Sequence, residues 1–302
     1  MTAAYDDAVV GAGVIGLTHT YQIEKRGRRV ALFERHPKAR SASVRNFGML
    51  WPIGQPAGPL HDMAMRSLEI WLDILKASQI WHDQVGALFV AHHDDEWAIL
   101  QEIRETAPSN WKLSLLTPEA VRAKSPAINE VNLRGGLFSP VETCIDPREA
   151  IGQIPLWLRD SLGVDLHFHE QVHSFSRSIV ATNQGECRAR RLWVCSGEEV
   201  QILYPETFRS MGLRRCKLQM LRASITDSRF DLGPMLAGGL TLRHYQSFER
   251  SLSLAALRQR IASSPEPFDR YGIHVMASQN GRGQITIGDS HVMMADEFPE
   301  QG

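Results

Sequence analysis

Gly11, Gly13 and Gly16 stand in the run Val10-Gly11-Ala12-Gly13-Val14-Ile15-Gly16, and Glu34 follows eighteen positions after the last of them. Each of these residue types has a task in holding a dinucleotide. The first glycine permits a sharp turn, the second lets backbone approach a pyrophosphate, and the third lets a helix lie close to its strand. The N–H groups and dipole at the start of that helix, where Val14 and Ile15 stand, favour the phosphates. A carboxylate at position 34 can accept hydrogen bonds from ribose hydroxyls and repels an added 2′-phosphate. The competing reading is a glycine-rich structural turn. Spacing alone does not separate NAD from FAD.

Other residues could also carry chemistry. Arg243, His244 and Tyr245 form a cationic, hydrogen-bonding cluster suited to an anionic head, with arginine presenting a fork to phosphonate or carboxylate oxygens. The same cluster reads equally as a solvated strand end. His291, after Gly288-Asp289-Ser290, could orient a substrate or adjust amine protonation, or serve as a hydrogen-bonded structural histidine. Trp51 and Gln55 could wall a pocket. His167, His169 and His173 are spaced like metal ligands, but zinc needs further ligands that the sequence does not nominate, so a polar edge strand is the reading and no metal is expected. His92-His93 beside Asp94-Asp95 reads as a solvated turn. Cys195 reads as a packing residue. Ser196 lacks a G-x-S-x-G surround and is no hydrolase nucleophile.

The elements that must position these residues follow from periodicity and punctuation. Ala8–Val10 reads as a strand, Leu17–Arg26 as a helix closed by Gly27, and Arg29–Phe33 as a second strand ending at Glu34, a βαβ unit. Leu60, Met63, Ala64, Leu68, Trp71, Ile74 and Leu75 make an apolar stripe on a helix over 59–79. Ala87–Ala91 reads as a strand, and Asp94 as the cap of a helix over 96–106. Thr117-Pro118-Glu119 opens a short helix, and Asp146-Pro147 opens one that runs to Leu162 and ends at Gly163. Strands are expected at Val164–Phe168, Val172–Ser176, Ser178–Thr182, Glu186–Ala189 and Leu192–Cys195, with a turn at Asn183-Gln184-Gly185. Further strands are expected at Leu218–Ile225, Leu240–Tyr245, Gly272–Ala277 and Gln284–Gly288, and a helix at Ser251–Ile261.

The composition suits a globular enzyme: 302 residues, 43% hydrophobic and 22% charged. With 33 basic and 34 acidic residues the formal net charge is −1, which points to no nucleic-acid partner. No apolar run reaches the length of a membrane span. Ala8–Leu17 lacks a basic segment before it and reads as a strand entering a helix rather than a signal peptide. Four cysteines without a C-x-x-C pair fit a reducing, cytoplasmic setting.

The V-V-G-A-G-V-I-G-L run with the following Phe33-Glu34-Arg35 resembles the D-amino-acid oxidase superfamily, which includes glycine and sarcosine oxidases. The segment 41–55, Thr241-Leu242-Arg243-His244-Tyr245, 272–280 and Gly288-Asp289-Ser290-His291 are similar to one subgroup, FAD-dependent oxidoreductases associated with phosphonate catabolism. The resemblance implies a non-covalent FAD and oxidation of an amine C–N bond. Hydride would pass to flavin N5 and the imine would be hydrolysed. The implied substrate is a small amine, an aminophosphonate or amino acid. Ser43, Arg45, Asn46 and Gly48 would lie along the flavin and pyrophosphate, Val172 would hold the adenine through its backbone, and Ser196-Gly197 would close over the cofactor. Ser41 stands where relatives commonly have glycine. Relatives also continue past the G-D-S-H segment into a second glycine turn and a helix aimed at the flavin. None is found in residues 289–302, so a truncated member is expected.

The expected fold is α/β: a Rossmann-like FAD-binding domain (1–85 and 140–214) interleaved with an α+β substrate domain (86–139 and 215–302) on a mostly antiparallel sheet. The rival functions are an NAD-linked dehydrogenase and a flavoprotein with weak or no catalysis.

Overall fold

The computed structural model describes residues 4–227 and 229–294. Residues 295–302, the end of the stretch expected to lack a second glycine turn, lie outside the described residues. The first unit forms as the spacing predicts: β1 (Ala4–Val10), α1 (Val14–Glu24) and β2 (Val30–Glu34). Every residue of β2 is buried, as befits a strand of a parallel sheet covered on both faces. After β3 (Met49–Leu50) comes α2 (Pro59–Ala77), whose stripe buries Leu68, Trp71, Ile74 and Leu75 but leaves Leu60 and Met63 exposed at its start. β4 (His82–Asp83) and β5 (Ala87–Ala91) precede α3 (Asp94–Thr106). His93, not Asp94, is the N-cap of α3, because the Glu96 carboxylate reaches back to accept from the His92 and His93 N–H groups.

β6 (Ser114–Leu116), α4 (Pro118–Lys124), β7 (Gly135–Ser139) and β8 (Thr143–Ile145) lead to α5 (Pro147–Leu162). Asp146 caps α5 by accepting from the N–H groups of Arg148 and Glu149, and Gly163 ends it in the left-handed region. β9 (Asp165–Phe168), β10 (Val172–Ser176), β11 (Ile179–Thr182) and β12 (Gly185–Val194) follow. The two strands expected within 186–195 are one. Arg188, Arg190 and Arg191 hold exposed positions along it while Ala189 is buried, so charge in this run marks a solvated face and not a break.

α6 (Pro205–Ser210) and β13 (Cys216–Ser224) are followed by β14 (Met235–Gly238), α7 (Leu254–Ala262), β15 (Met276–Gln279) and β16 (Gln284–Met293). Leu240–Tyr245 is not a strand. Gly239–Arg243 is a 3-10 helix that turns Leu242 into the core beside α7. The strand expected at Gly272–Ala277 is confined to Met276–Gln279, and that at Gln284–Gly288 extends to Met293. The helix expected from Ser251 starts at Leu254.

Three sheets result among the described residues. A six-stranded sheet has the order β10-β11-β12-β1-β2-β9, parallel from β12 to β9. A seven-stranded sheet has the order β13-β16-β15-β14-β5-β7-β6 and is antiparallel except at β14 and β5. A three-stranded sheet, β3-β8-β4, completes them. The architecture is α/β, as expected. β1 sends Val9 into a core with α1, α2 and α5, and Tyr5 and Ala8 into a second core with Phe33, Val172 and Val180 on the other face. In the seven-stranded sheet Phe89 packs with α3 and α7, while Leu88 and Val90 meet Val121 of α4. No helix among the described residues is long and apolar enough to cross a membrane.

Two buried acids tie these parts together. Asp7 is fully buried in β1, where the Arg28 guanidinium lies 2.6 Å from it and the Trp193 indole N–H donates to its other oxygen at 2.8 Å. Glu142, also fully buried, accepts from the Ile53 N–H at 3.1 Å while its second oxygen has no partner. Burial raises the Glu142 carboxyl above its ordinary 4.5, and hydrogen bonds only partly oppose it.

Each acid gives a test. Asp7→Ala leaves Arg28 and the Trp193 N–H without their partner and should cost about 3 kcal/mol, read as a lower urea midpoint. An unchanged midpoint would remove the pair as a structural tie. For Glu142, the folded state binds more proton than the unfolded state once pH exceeds 4.5. Stability therefore falls as pH rises from that value toward the folded one. Glu142→Gln keeps the acceptor for Ile53 and removes that fall. Its stability relative to wild type should improve with rising pH, and a pH-independent difference would refute the buried acid.

Candidate functional site

The parallel register of β12, β1 and β2 sets Val194, Val10 and Phe33 side by side, so three chain reversals open at one edge of the sheet. Gly11, with φ 102°, makes the first turn, and a Cβ there would strike the Cys195 carbonyl. A Cβ on Gly16 would strike the Gly11 carbonyl, so this glycine serves helix-to-strand packing. Gly13 is the N-cap of α1, and the Val14 N–H donates to the Ser43 hydroxyl at 2.9 Å. Glu34 is buried beneath the turn: Ala12 N–H donates to one carboxylate oxygen and His36 N–H to the other, each at 3.0 Å.

These groups border a cavity of about 350 Å³. Of the expected cofactor residues, Gly11, Gly13, Val14, Ile15, Glu34, Arg35, Ser43, Val172, Ser196 and Gly197 line it. Arg35 donates to Glu199 at 2.7 Å. Burial alone would raise the Glu199 carboxyl, but the Gln201 N–H and Arg35 outweigh it and hold it below the usual range. The Ser196 hydroxyl donates to the Glu199 carbonyl, and Ser41 donates to Glu198 at 2.6 Å, so the loop 196–199 is tied at two points. Ser41 has φ −83°, so serine needs no special backbone there.

Arg45 and Asn46 line a second cavity of about 380 Å³, between the loop 41–55, the start of α5 and strands β13 and β16. Asn46 spends its amide on bracing the loop: it donates to the Ala42 and Ser43 carbonyls and accepts from Gly48 N–H. Gly48 borders neither cavity. Its φ is 71°, and a Cβ would strike the Ile145 carbonyl, so it lets β3 meet β8. Arg148, Lys217 and Arg222 add cationic groups to the second cavity. Sequence reasoning did not single them out, because they are distant in the chain and carry no motif.

The cluster after β14 differs from expectation. The Arg243 side chain is 7% exposed and engaged, with Asp269 3.3 Å away and donors directed to the Leu240 and Ile273 carbonyls. Its fork is therefore held by the protein. His244 stacks on His274 with ring centroids 4.5 Å apart. Burial, then the neighbouring His274, Arg243 and His291, push it down to about 4, although part of the residue still meets solvent. Tyr245 donates to the Met276 sulfur at 3.4 Å and lies beside Trp51, and burial followed by Asp289 pushes it up to about 12. The buried Trp51 indole N–H has no partner.

His291 stacks on His274 at 5.0 Å and approaches Asp289. His274 and Asp289 were not singled out from sequence. The alternation of Asp289 and His291 along a strand was the available signal. His167 instead pairs with Glu170 and stacks on Phe33, and His169 sits in a turn at φ 58°, so these histidines form no metal-ligating group among the described residues. Burial raises Cys195 to about 11, in keeping with a packing role.

A model of the FAD dependent oxidoreductase family matches residues 6–290. A D-amino-acid oxidase of Streptomyces coelicolor is 42% identical over 67 residues, 22% of this chain and 21% of that protein, so the shared stretch is about a fifth of the relative's length. Among solved structures, glycine oxidase from Bacillus cereus superposes with a TM-score of 0.71 at 18% identity, over 97% of this chain and 73% of that one. L-proline dehydrogenase from P. horikoshii gives 0.72 at 18% identity, over 99% and 73%. Such identities speak for the fold alone. The family match runs through the glycine turn, Glu34 and the strands that frame both cavities: this chain belongs to the FAD dependent oxidoreductases, and its cofactor is FAD.

Proposed function

We propose that this protein oxidises the C–N bond of a small amine, an aminophosphonate or amino acid, to an imine that water hydrolyses. The observation that carries the reading is the pair of cavities on either side of loop 41–55, one bordered by the glycine turn and Glu34 and the other by Arg45, Arg148, Lys217 and Arg222. Glu34 would hold the adenosine ribose, and the start of α1 with Ser43 the pyrophosphate. The fit is good, because glycine backbone and a buried carboxylate border the first cavity. When bound, FAD supplies the two-electron acceptor.

The chain's own residues would then orient the amine. His244, held neutral, and Tyr245, held protonated, orient through hydrogen bonds rather than charge. His291 stands with them at the end of β16. Arg243 would support this wall, and Arg45, Arg148 and Lys217 are the better partners for an anionic head. The domain division that suits this reading is 1–85 with 140–214 for the cofactor, and 86–139 with 215–302 for the substrate. The D-amino-acid oxidase stretch supports amine chemistry, and the subgroup resemblance supports a phosphonate head.

Anaerobic mixing of the flavin-loaded protein with 2-aminoethylphosphonate analogues, glycine and sarcosine should bleach the flavin with at least one of them. Retained flavin that no amine bleaches would overturn the oxidation. Glu34→Ala should weaken flavin binding roughly tenfold or more by removing charge-assisted hydrogen bonds. Unchanged flavin affinity would sink the ribose assignment.

A further inference from the structure

Three side chains converge at the end of β16 in a way that amine orientation leaves unexplained. Asp289 and His291 alternate along this strand, and the His274 N–H donates to the Asp289 carbonyl at 3.1 Å, which pins a third residue beside them. His274 Nε2 lies 2.6 Å from one oxygen of Asp289, and His291 Nε2 lies 3.6 Å from the other. One ligand atom from each residue falls within 4.8 Å of the others. The side chains of His274 and Asp289 are 6% and 3% exposed, while His291, at 32%, stands at the mouth.

The hydrogen bonding leaves two polar atoms of this cluster, His274 Nδ1 and Asp289 Oδ1, without a partner. His291 Nδ1 faces the Gly272 carbonyl at 3.2 Å, so Nδ1 must be the donor. Nε2 is then the nitrogen free to take a ligand, and it is the one that faces Asp289. His274 Nδ1 has no partner, so no hydrogen bond fixes which of its nitrogens carries the proton. Asp289 Oδ1 also lacks a hydrogen bond despite its 2.6 Å approach to His274, because the contact lies off the ring nitrogen's axis. An oxygen set to one side of an imidazole lone pair is where a second ligand of a shared ion stands. A buried carboxylate needs a cation or a donor to offset its lost hydration.

We propose that His274, Asp289 and His291 bind one divalent transition-metal ion of the zinc class. Two imidazoles and a carboxylate suit such an ion and leave a coordination position for water or a substrate oxygen. His244, stacked on His274, walls the site. The inference stands apart from amine oxidation, since metal occupancy is measured without turnover.

The test uses the flavin-loaded full chain, stripped with chelator and titrated with Zn²⁺ against a chromophoric competitor, with metal content read by elemental analysis. One Zn²⁺ per chain is expected, with affinity reduced more than about a hundredfold in His291→Ala and Asp289→Asn. His173→Ala, on β10, should bind as the wild type does. Absence of stoichiometric Zn²⁺, or affinity unchanged in His291→Ala, overturns the site. His291 is partly exposed, so its variant decides the matter even if Asp289→Asn does not fold.

Discussion

The carboxylate of Glu34 receives two backbone N–H groups, Ala12 from the glycine turn and His36 from just past the end of β2. This one buried acid fixes the end of β2 against the start of α1. The close approach is possible only because Gly11 and Gly16 carry no side chain where their neighbours' carbonyls lie. A charged group accepting two N–H bonds is held far more firmly than a neutral turn would be. The edge where β1, β2 and β12 end is thereby set, and the Ser43 hydroxyl accepts from the Val14 N–H at the helix N-terminus, the place the proposed reading gives to a phosphate oxygen.

The rest of the site depends on relaying that fixed edge to the other sheet, and the relay is polar. Loop 41–55 runs from the first cavity to the seven-stranded sheet, where Ser278 donates to the Phe47 carbonyl, and to Glu142, between β7 and β8, which takes the Ile53 N–H. Asp146 does two jobs at the same junction. It caps α5 and approaches Arg222 of β13 while accepting from Asn280. Buried or half-buried acids thus recur where the sheets meet. Hydrophobic contact is non-directional, and hydrogen bonds add the register that a cavity lined from several segments requires.

Much of this was legible in the sequence where punctuation and period agreed. Asp146-Pro147 and Gly163 marked both ends of α5, and Thr117 with Pro118 marked α4. The glycine turn and Glu34 were legible because all their spacing is local. Elsewhere local signals misled. Leu240 and Leu242 alternate like a strand, yet Gly238-Gly239 allows the chain to turn tightly, and Gly239 packs so closely on Glu96 that no side chain fits. β14 was missed because Gly233-Pro234 and Gly238-Gly239 make its four residues look like a loop. Only pairing with β5 and β15 makes them a strand. The exposed start of α2 shows that a periodic stripe tells which face turns inward, and says nothing of how far the covering structure extends.

The aromatic and histidine wall shows the limit most clearly. His244, His274 and His291 come from a 3-10 turn, an irregular segment and a strand, so no spacing rule relates them, yet their rings stack with centroids 4.5 to 5.8 Å apart and planes inclined by 11° to 30°. Stacking imidazoles beside a buried aspartate is a poor way to gain stability, since each ring nitrogen and each carboxylate oxygen must be satisfied or it costs free energy. A fold that needed only packing here would be better served by apolar side chains of similar size. Polar groups left short of partners at a strand end are the signature of a place kept for something else, and local sequence consistency fails at such places because the missing partner is not part of the chain.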